Sequence, residues 1–395
     1  MSMPFPNASR AWTVLALGVG AQTAGTVFVS VPAFLIPLLH TERGLTLAQA
    51  GLLAATPTFG MVLTLIAWGA LADRIGERWV IAGGLALVAF ASVGAILSTG
   101  YLTLGIFFLL GGMAAASANA ASGRVVVGWF PKDRRGLAMG IRQTCQPLGV
   151  TIAAVTVPTL ASVGGIGVAL IVPLALTGVL SVACAIGIRD PPRAERVPGM
   201  PTANPYRSSG FLWRIHGVSL LLVFPQFTLS IFGLVWLVTE LHWSALAAGF
   251  LVGGAQFVGA IGRIGVGVLS DRVGSRVRPL RWVAISASVV MLLLAALGEP
   301  RWGAAAIVLV IAMTVTVADN GLAFTSVAEM AGSFWAGRAL GAQNTGQFLA
   351  ASVVGPAVGA LIGLIGYPLA FAAVALLPAA AIPLIPSEAA EHDRL

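Results

Sequence analysis

Long apolar stretches separated by short polar turns follow one another along the whole chain. A helix needs about 20 apolar residues to cross the core of a bilayer, and twelve stretches reach that length. The stretches show helical continuity and no strand-like alternation, so we expect helices rather than a β-barrel. The predicted spans cover residues 11–39, 46–71, 79–98, 101–129, 136–160, 163–188, 214–239, 244–270, 280–298, 302–328, 338–362 and 366–386.

One polar segment interrupts this pattern near the middle of the chain. Residues 189–213 are charged and rich in proline, which is typical of a linker on one face of a membrane. Six predicted spans lie on each side of it. We therefore predict an all-α polytopic membrane protein with 12 transmembrane helices, in which a six-helix bundle at 1–188 is joined by a cytoplasmic linker at 189–213 to a second bundle at 214–395.

A charged phrase occurs twice, at positions 198 residues apart. Residues 69–78 read Gly-Ala-Leu-Ala-Asp-Arg-Ile-Gly-Glu-Arg, and residues 267–276 read Gly-Val-Leu-Ser-Asp-Arg-Val-Gly-Ser-Arg. Each copy ends an apolar run and opens a turn. Asn119 and Asn320 match further along, at an offset of 201. A repeat of about half the chain in an apolar protein indicates two homologous membrane halves.

The charge balance agrees with a membrane protein. Charged residues make up 9% of the chain, against roughly 25% in soluble domains, so lipid must solvate most of the surface. The net charge of +8 is spread over the short turns, which suits membrane topology better than a nucleic-acid partner. Most basic residues fall on one predicted face, whereas Arg43 and Arg301 fall on the other. The basic face should be cytoplasmic, and both termini should lie there.

The sequence carries no signal of catalytic or metal chemistry. Cys145 and Cys184 lie far apart inside apolar spans, which predicts neither a disulfide framework nor a metal site. Phosphate loops, metal-ligand clusters and nucleophile–base arrangements are absent from the sequence. We therefore expect a protein that is not an enzyme and that needs no cofactor or metal.

The doubled phrase, at the exits of the second and eighth predicted spans, resembles the signature loop of the major facilitator superfamily (MFS). The resemblance covers essentially the whole chain and is uninformative about substrate. It implies two pseudo-symmetric six-helix bundles around a central cavity, and alternating access by rocking of one bundle against the other. It also implies a conformational switch in the signature loops, although these charged turns could instead only mark the cytoplasmic face. The switch candidates are Gly69, Asp73, Arg74, Gly76 and Arg78 in the first copy, with Asp271 and Arg272 in the second.

Ionisable side chains inside the predicted spans are functional candidates because placing a charge in lipid costs several kcal/mol. At a rise of about 1.5 Å per residue, Arg263 and Asp319 lie near mid-membrane, and Arg124 and Arg142 lie nearer the cytoplasmic end. The phrase that begins at Arg263 resembles helix 8 of nitrate/nitrite porters, oxalate–formate exchangers and monocarboxylate transporters, where an arginine contacts the anionic substrate. A guanidinium suits a carboxylate because it donates two parallel hydrogen bonds. Alternatively, Arg263 pairs structurally with an acidic residue such as Asp319.

Two departures from those anion carriers argue against nitrate as the substrate. The glycine-rich signature of nitrate porters is absent from the fifth and eleventh predicted spans. In addition, Leu65 stands where a second mid-membrane arginine would be expected. A small organic anion fits a single central arginine better.

Asp319 is the only carboxylate that we predict near mid-membrane, where a desolvated carboxyl group can hold a proton. Substrate that competes with it for Arg263 would couple proton uptake to anion uptake; alternatively, Asp319 is structural. Arg124 raises a competing function, because drug antiporters of the superfamily carry a proton-relay arginine in helix 4. Their Gly-Pro motif in helix 5 is poorly matched here. The predicted substrate-binding residues are Arg263, Gln22, Asn119, Gln226, Gln256 and Asn320, and the predicted proton-coupling residues are Asp319 and Arg124.

Together these features predict a monomeric secondary transporter of the inner membrane that works by alternating access. The leading prediction is proton-coupled uptake of a small organic anion. The alternatives are a proton-driven multidrug or metabolite efflux antiporter and a non-transporting membrane sensor. The expected partners are an anionic small molecule, protons and the lipid bilayer.

Overall fold

The computed structural model describes residues 8–41, 44–45, 47–191, 204–298, 304–332 and 334–392. Every regular element in these ranges is helical, as the apolar runs predict. Two short 3₁₀ turns lie at Lys132–Arg134 and Ile382–Leu384. The helices α1 to α16 span, in order, Ala8–Phe34, Ile36–Thr41, Leu47–Ile75, Glu77–Ile96, Tyr101–Trp129, Arg135–Arg142, Cys145–Ala169, Ile171–Gly187, Pro205–Ser208, Phe211–Thr239, Ala245–Val273, Val277–Gly298, Ala304–Val315, Asp319–Ala331, Ala336–Ala381 and Glu388–His392.

Ten helical stretches in the described ranges are long and apolar enough to cross a membrane. A further apolar helix, Ile171–Gly187, is shorter. The longest stretch, Ala336–Leu384, has 49 residues, which is more than twice the length that one crossing requires. The chain is therefore a multi-pass membrane protein. Arg43, Arg301 and residues 192–203 of the predicted linker lie outside the described residues.

Two long helices are interrupted at glycines close to predicted boundaries between spans. Helix α7 is non-helical at Gly164 and Gly165, and α15 is non-helical at Gly366. The φ angles of Gly165 and Gly366 are 70° and 77°, in a region that a residue without a side chain adopts readily. These two glycines are 201 positions apart, the same offset that relates Asn119 to Asn320. The repeat seen in the sequence therefore extends to backbone conformation.

The predicted span over 302–328 corresponds to one apolar stretch, Ala304–Ala331, which consists of two helices. Helix α13 ends at Val315 and α14 begins at Asp319. Four β-branched residues occupy positions 314–317, and such residues lose side-chain freedom in a helix. The break takes the carbonyl group of Val317 out of the regular helical ladder, so that side chains can bind it.

The first of two compact units comprises Met1–Phe130, Thr144–Pro201 and Gly332–Thr345. Its apolar core surrounds Phe28 and Phe108, whose ring centroids lie 5.9 Å apart in an edge-to-face contact. Because lipid is as apolar as these side chains, packing rather than exclusion from water holds the helices together.

The second unit comprises Pro131–Gln143, Thr202–Ala331 and Gly346–Leu395. Trp236 and Phe371 form the aromatic centre of its core, with ring centroids 5.6 Å apart. Each unit includes a short segment from the other half of the sequence. Residues 332–345 contribute the start of α15 to the first unit, and residues 131–143 contribute α6 to the second.

Candidate functional site

The break between α13 and α14 puts Asp319 at the first position of α14. The side chain is buried, and neither carboxylate oxygen accepts a hydrogen bond from the described residues. Its electrostatic neighbours are Arg263 and the N–H groups of Asp319 and Asn320 at the start of the helix. A helix N-terminus favours negative charge. Asp319 is thus a buried carboxyl group with two open acceptor atoms, which is a chemistry suited to proton exchange.

Arg263, on α11, connects two places where the chain leaves helical geometry. Its Nε donates a hydrogen bond of 3.3 Å to the carbonyl of Val317, and its Nη1 donates one of 3.0 Å to the carbonyl of Gln143. The side chain is 6% exposed. The sequence left open whether Arg263 pairs with Asp319. The structure shows that their relation is electrostatic, without a hydrogen bond to either Asp319 oxygen.

Amide side chains that the sequence assigns to the substrate site bind one another in the second unit. Asn320 donates a 3.0 Å hydrogen bond from Nδ2 to Oε1 of Gln226. Gln347 donates from Nε2 to Oδ1 of Asn320 at 3.0 Å, and to the hydroxyl of Ser219 at 2.6 Å. Asn320 follows Asp319 directly, so this network reaches the same helix start.

A corresponding amide pair lies within the first unit. Gln22 donates from Nε2 to Oδ1 of Asn119 at 2.7 Å, and Ser122 donates to Oε1 of Gln22 at 3.0 Å. Asn119 and Asn320 are the repeat partners identified in the sequence. Each unit therefore pairs this asparagine with a glutamine from another helix. Gln256 is half-buried on α11 and makes no hydrogen bond with the described residues.

Arg142, a functional candidate to which the sequence assigns no specific role, lies beside the same residue that Arg263 binds. It is 1% exposed, and its Nη1 donates a 3.1 Å hydrogen bond to Oε1 of Gln143. Its guanidinium carbon is 5.5 Å from the ring centroid of Phe324 on α14. Gln143 thus contacts two buried guanidinium groups, Arg142 through its side chain and Arg263 through its main chain.

The first signature aspartate lies at a helix start that is distant in the sequence. Asp73 Oδ1 accepts a 2.9 Å hydrogen bond from the N–H of Gly337, and Oδ2 accepts one of 3.1 Å from the N–H of Arg338. These N–H groups belong to the first turn of α15, where no helical partner exists for them. A carboxylate at such a position satisfies them and complements the helix dipole.

The second signature aspartate repeats this geometry in the other unit. Asp271 Oδ1 accepts from the N–H of Gly136, and Oδ2 accepts from the N–H of Leu137, both at 2.8 Å. Gly136 and Gly337 are related by the offset of 201, and the two aspartates by 198. We name these two arrangements the Asp73 latch and the Asp271 latch.

Glycines let the backbones meet closely beside both latches. A Cβ atom added to Gly69 would collide with the carbonyl of Gly337, and one added to Gly267 would collide with the carbonyl of Gly136. The first residue of the signature phrase is therefore glycine because any side chain would separate the two helices.

Buried ion pairs support the first latch. Arg124 donates to Asp73 Oδ1 at 2.8 Å, and its Nε lies 2.8 Å from Oε1 of Glu77. The side chains of Asp73, Glu77 and Arg124 are 5% exposed or less. The structure therefore brings Arg124, a predicted proton-coupling residue, together with the signature loop.

Arg276 supports the second latch. It contacts Asp271 at 2.6 Å and Glu329 at 3.4 Å, and Glu329 also pairs with Arg135 at 3.1 Å. Burial lowers the pKa of Arg276, but the charge of Glu329 and the hydrogen bond and charge of Asp271 outweigh burial and raise it above its ordinary value. Arg276 thus remains charged within the network.

The remaining signature residues differ from one another in exposure, backbone conformation and hydrogen bonds. Arg74 and Arg272 are exposed and make no hydrogen bond or ion pair with the described residues. Gly76 has a φ of 105° and Gly274, its repeat partner, a φ of 70°, so both turns need glycine. Arg78 donates from Nε to the carbonyl of Ala185 at 2.6 Å.

Two acidic residues that the sequence analysis did not single out hold the signature turns in place. Asp190 Oδ1 accepts a 2.9 Å hydrogen bond from the N–H of Arg78. Glu391 Oε1 accepts one of 2.7 Å from the N–H of Arg276, and its Oε2 accepts one of 2.7 Å from Ser275. Asp190 and Glu391 are 201 positions apart. That offset is the signal that could have found them, and we name them the tail carboxylates.

Comparison with known proteins agrees with the doubled signature loop and its latches. The family model of the Major Facilitator Superfamily matches residues 17–354. The chain belongs to the Major Facilitator Superfamily. This MFS chain is 45% identical over 377 residues to an MFS-type transporter of Mycobacterium tuberculosis, Rv2994, covering 95% of this chain and 84% of that protein. Both findings identify it as a transporter.

Two further similarities concern more distant MFS proteins. A chloroplast protein of Arabidopsis thaliana named probable anion transporter 4 is 30% identical over 158 residues, covering 39% of this chain and 28% of that protein. The fucose:proton symporter FucP of E. coli, solved in the outward conformation, superposes with a TM-score of 0.74 at 16% identity and covers 96% of this chain and 98% of its own. At that identity the likeness to FucP shows the fold alone.

Proposed function

We propose that this MFS transporter couples the uptake of a small organic anion, a carboxylate, to the entry of a proton. Arg263 binds the carboxylate and Asp319 takes the proton. One observation carries the proposal: a buried carboxyl group, both of whose oxygens lack a hydrogen-bond partner among the described residues, lies at a helix break beside a buried guanidinium. The plant relative named as an anion transporter agrees with an anionic substrate.

The charges of these two residues explain the coupling. While Asp319 is ionised, it balances the charge of Arg263. Once Asp319 is protonated, the charge of Arg263 is available to a substrate carboxylate. The substrate would replace the neutral carbonyl partners, Val317 and Gln143, with a charged acceptor, and charge-assisted hydrogen bonds are roughly twice as strong as neutral ones. Anion and proton therefore bind together.

The other predicted site residues have supporting roles in this proposal. In the second unit, the amide groups of Gln226 and Asn320 supply hydrogen-bond donors and acceptors to the polar parts of the substrate. Gln22 and Asn119 offer the corresponding amide groups of the first unit. Gln256 offers an amide that the described residues do not bind. The Asp73 latch and the Asp271 latch form in one conformation and open in another, which is the switch of an alternating-access cycle.

We also propose the finer topology that the sequence predicts. Ala336–Leu384 contributes two spans separated at Gly366, and Ile171–Gly187 contributes one more, which gives twelve. An even number places both termini on one face, the cytoplasmic one by the distribution of basic residues. We further propose that the transporter lies in the inner membrane as a monomer, with bundles at 1–188 and 214–395.

Efflux is less well supported than uptake. The efflux alternative relied on Arg124 as part of a proton path. Arg124 instead forms ion pairs with Asp73 and Glu77, so we assign it to the switch. The alternative thereby loses one of its two proton-path residues.

Transport by the purified protein in liposomes tests this proposal. A proton gradient, acidic outside, should drive accumulation of a radiolabelled small carboxylate. Asp319→Asn should abolish that accumulation but retain exchange of labelled for unlabelled substrate, because the neutral amide imitates the protonated carboxyl group. Arg263→Lys should raise KM at least tenfold, equivalent to about 1.4 kcal/mol, because an ammonium group lacks the planar fork.

Asp133→Asn is the matched control for these variants. Asp133 is exposed in the turn Lys132–Arg134, so its substitution should leave accumulation unchanged. Accumulation by Asp319→Asn equal to that of the wild type would remove Asp319 from the coupling. If the wild type transports no carboxylate from a broad panel, the proposed function is wrong.

A further inference from the structure

Arg142 and Arg263 bind opposite ends of one residue, although they belong to different helices. Arg142, at the end of α6, donates to the side-chain oxygen of Gln143 at 3.1 Å. Arg263, on α11, donates to the main-chain oxygen of Gln143 at 3.0 Å. Both arginines are buried, with exposures of 1% and 6%. Two permanent positive charges therefore lie around a single amide residue within one unit.

The close packing of α6 against α11 and α14 fixes this arrangement. A Cβ atom on Gly140 would lie 2.7 Å from the carbonyl oxygen of Arg263, and one on Gly321 would lie 3.8 Å from the backbone of Gly140. Glycine at position 140 thus lets the two arginine-bearing helices touch at their backbones. The ring of Phe324 lies beside the guanidinium of Arg142, which provides a favourable surface for a cation.

The first unit lacks this feature. The position related to Arg263 by 198 residues is Leu65, and the position related to Arg142 by 201 residues is Gln343. The backbone contact itself is kept, since a Cβ atom on Gly341 would lie 2.6 Å from the carbonyl oxygen of Leu65. Helix packing therefore does not require the two arginines, and their presence in one unit only is a chemical specialisation.

We propose that Arg142 and Arg263 together bind a substrate with two negative groups, such as a dicarboxylate. This inference rests on the proposed function and adds a second anion-binding residue and a substrate class to it. Arg263 takes one carboxylate when Asp319 is protonated. Arg142 exchanges the neutral side-chain oxygen of Gln143 for the other carboxylate, which forms stronger charge-assisted hydrogen bonds.

A matched pair of substrates separates this inference from the proposed function. Succinate and its half-amide, succinamate, have nearly the same size, but succinamate carries a single carboxylate. Uptake of both into liposomes, and stabilisation of the purified protein by each against heat, should be measured. The wild type should show at least a tenfold lower KM for succinate than for succinamate.

Two variants test the role of Arg142. In Arg142→Gln the preference for succinate should fall at least tenfold, while uptake of succinamate through Arg263 continues. Gln143→Glu provides a second, nearly isosteric variant that should fold even if Arg142→Gln does not. Its carboxylate occupies Arg142 as an internal substitute, so it should likewise remove the preference for succinate. Arg134→Gln, at an exposed arginine just before α6, should keep the wild-type preference.

Each other outcome has one meaning. If the wild type transports and binds neither compound nor any other carboxylate, the proposed function fails. If the wild type transports succinamate as well as succinate, the inference about two negative groups is wrong while anion uptake stands. The inference is also wrong if both variants change the two KM values by the same factor, because Arg142 then has only a structural role.

Discussion

At the scale of the residue, single carboxylates determine the geometry of the signature turns. The tail carboxylate Glu391 is 1% exposed and satisfies the N–H group of Arg276 and the hydroxyl of Ser275. Asp190 does the same for the N–H group of Arg78. Both bonds hold the residue that follows a positive-φ glycine by two positions. Each turn is thus held by an acidic side chain from the segment after the last apolar helix of its own sequence half.

Replacing one tail carboxylate should therefore destabilise its unit. Glu391→Gln weakens two short charge-assisted hydrogen bonds of a buried side chain. We therefore expect the free energy of unfolding to fall by about 1–3 kcal/mol. Thermal unfolding of the purified protein in detergent measures it. Glu388→Gln is the control on the same short helix, because Glu388 lies 3.9 Å from Arg278 and both side chains are about half exposed. Its effect should stay within roughly 0.5 kcal/mol, and equal effects of the two variants would contradict the structural role of Glu391.

At the scale of the element, helix crossings beside the latches depend on glycine at single positions. Gly267 meets the backbone of Gly136 on α6, and Gly69 meets that of Gly337 on α15. The latch bonds can form only if these backbones touch, since the N–H groups that bind the aspartates lie at the same crossing. The spacing that recurs in both copies of the phrase thus joins a packing requirement to an electrostatic one.

Alanine substitutions along α11 should separate these requirements. In Gly267→Ala the new Cβ collides with the carbonyl of Gly136, so the Asp271 latch should open. The free energy of unfolding should fall by about 1–3 kcal/mol. Gly265→Ala places its Cβ where nothing lies within 4 Å, and it should be neutral or stabilise by about 0.4–1 kcal/mol. Thermal unfolding and the transport rate of both variants check this expectation. The crossing would be unimportant if Gly267→Ala behaved like Gly265→Ala.

At the scale of the whole molecule, the two halves of the sequence repeat their contacts and not only their spans. The latches, the tail carboxylates, the amide pairs and the positive-φ glycines recur at offsets of 198 to 204 residues. The two buried arginines near Gln143 do not recur. The two units thus share a repeated framework, and only the second unit carries this pair of arginines.

The proposed orientation of the whole chain can be measured by labelling single cysteines. Thr99 lies in the turn between α4 and α5, and Ala389 lies on α16; both are exposed. The native Cys145 and Cys184 are buried, so background labelling should be low. A membrane-impermeant maleimide should label Thr99→Cys in right-side-out vesicles and Ala389→Cys in inverted ones. Labelling of both positions from the same side would contradict the predicted topology.

Much of this architecture could be predicted from the sequence, because a helix that crosses lipid must be long and apolar and because the two halves share residues at fixed offsets. The family, the multi-pass fold and the importance of the doubled phrase follow from those two signals. The break before Asp319 was missed because no glycine or proline marks it. The four β-branched residues at 314–317 were the available signal, but apolar character at those positions predicts a span equally well.

The partners of the latches could not be predicted because they depend on main-chain atoms. The bond from Gly337 to Asp73 joins residues 264 positions apart, and an N–H group has no signature in a sequence. In the same way, Glu391 looks like a solvated residue near the end of the chain. Its role follows only from the position of the turn that it binds.

The attachment of Glu391 has a practical consequence for anyone who handles this protein. Purification tags and crystallisation truncations are usually placed at a chain end on the assumption that the last residues are dispensable. Here a cut before position 391 would remove an anchor of the 275–276 turn, whereas a cut after His392 would spare it. An expression design that ignores this difference would weaken the signature turn, and the less stable product could then be mistaken for an inactive carrier.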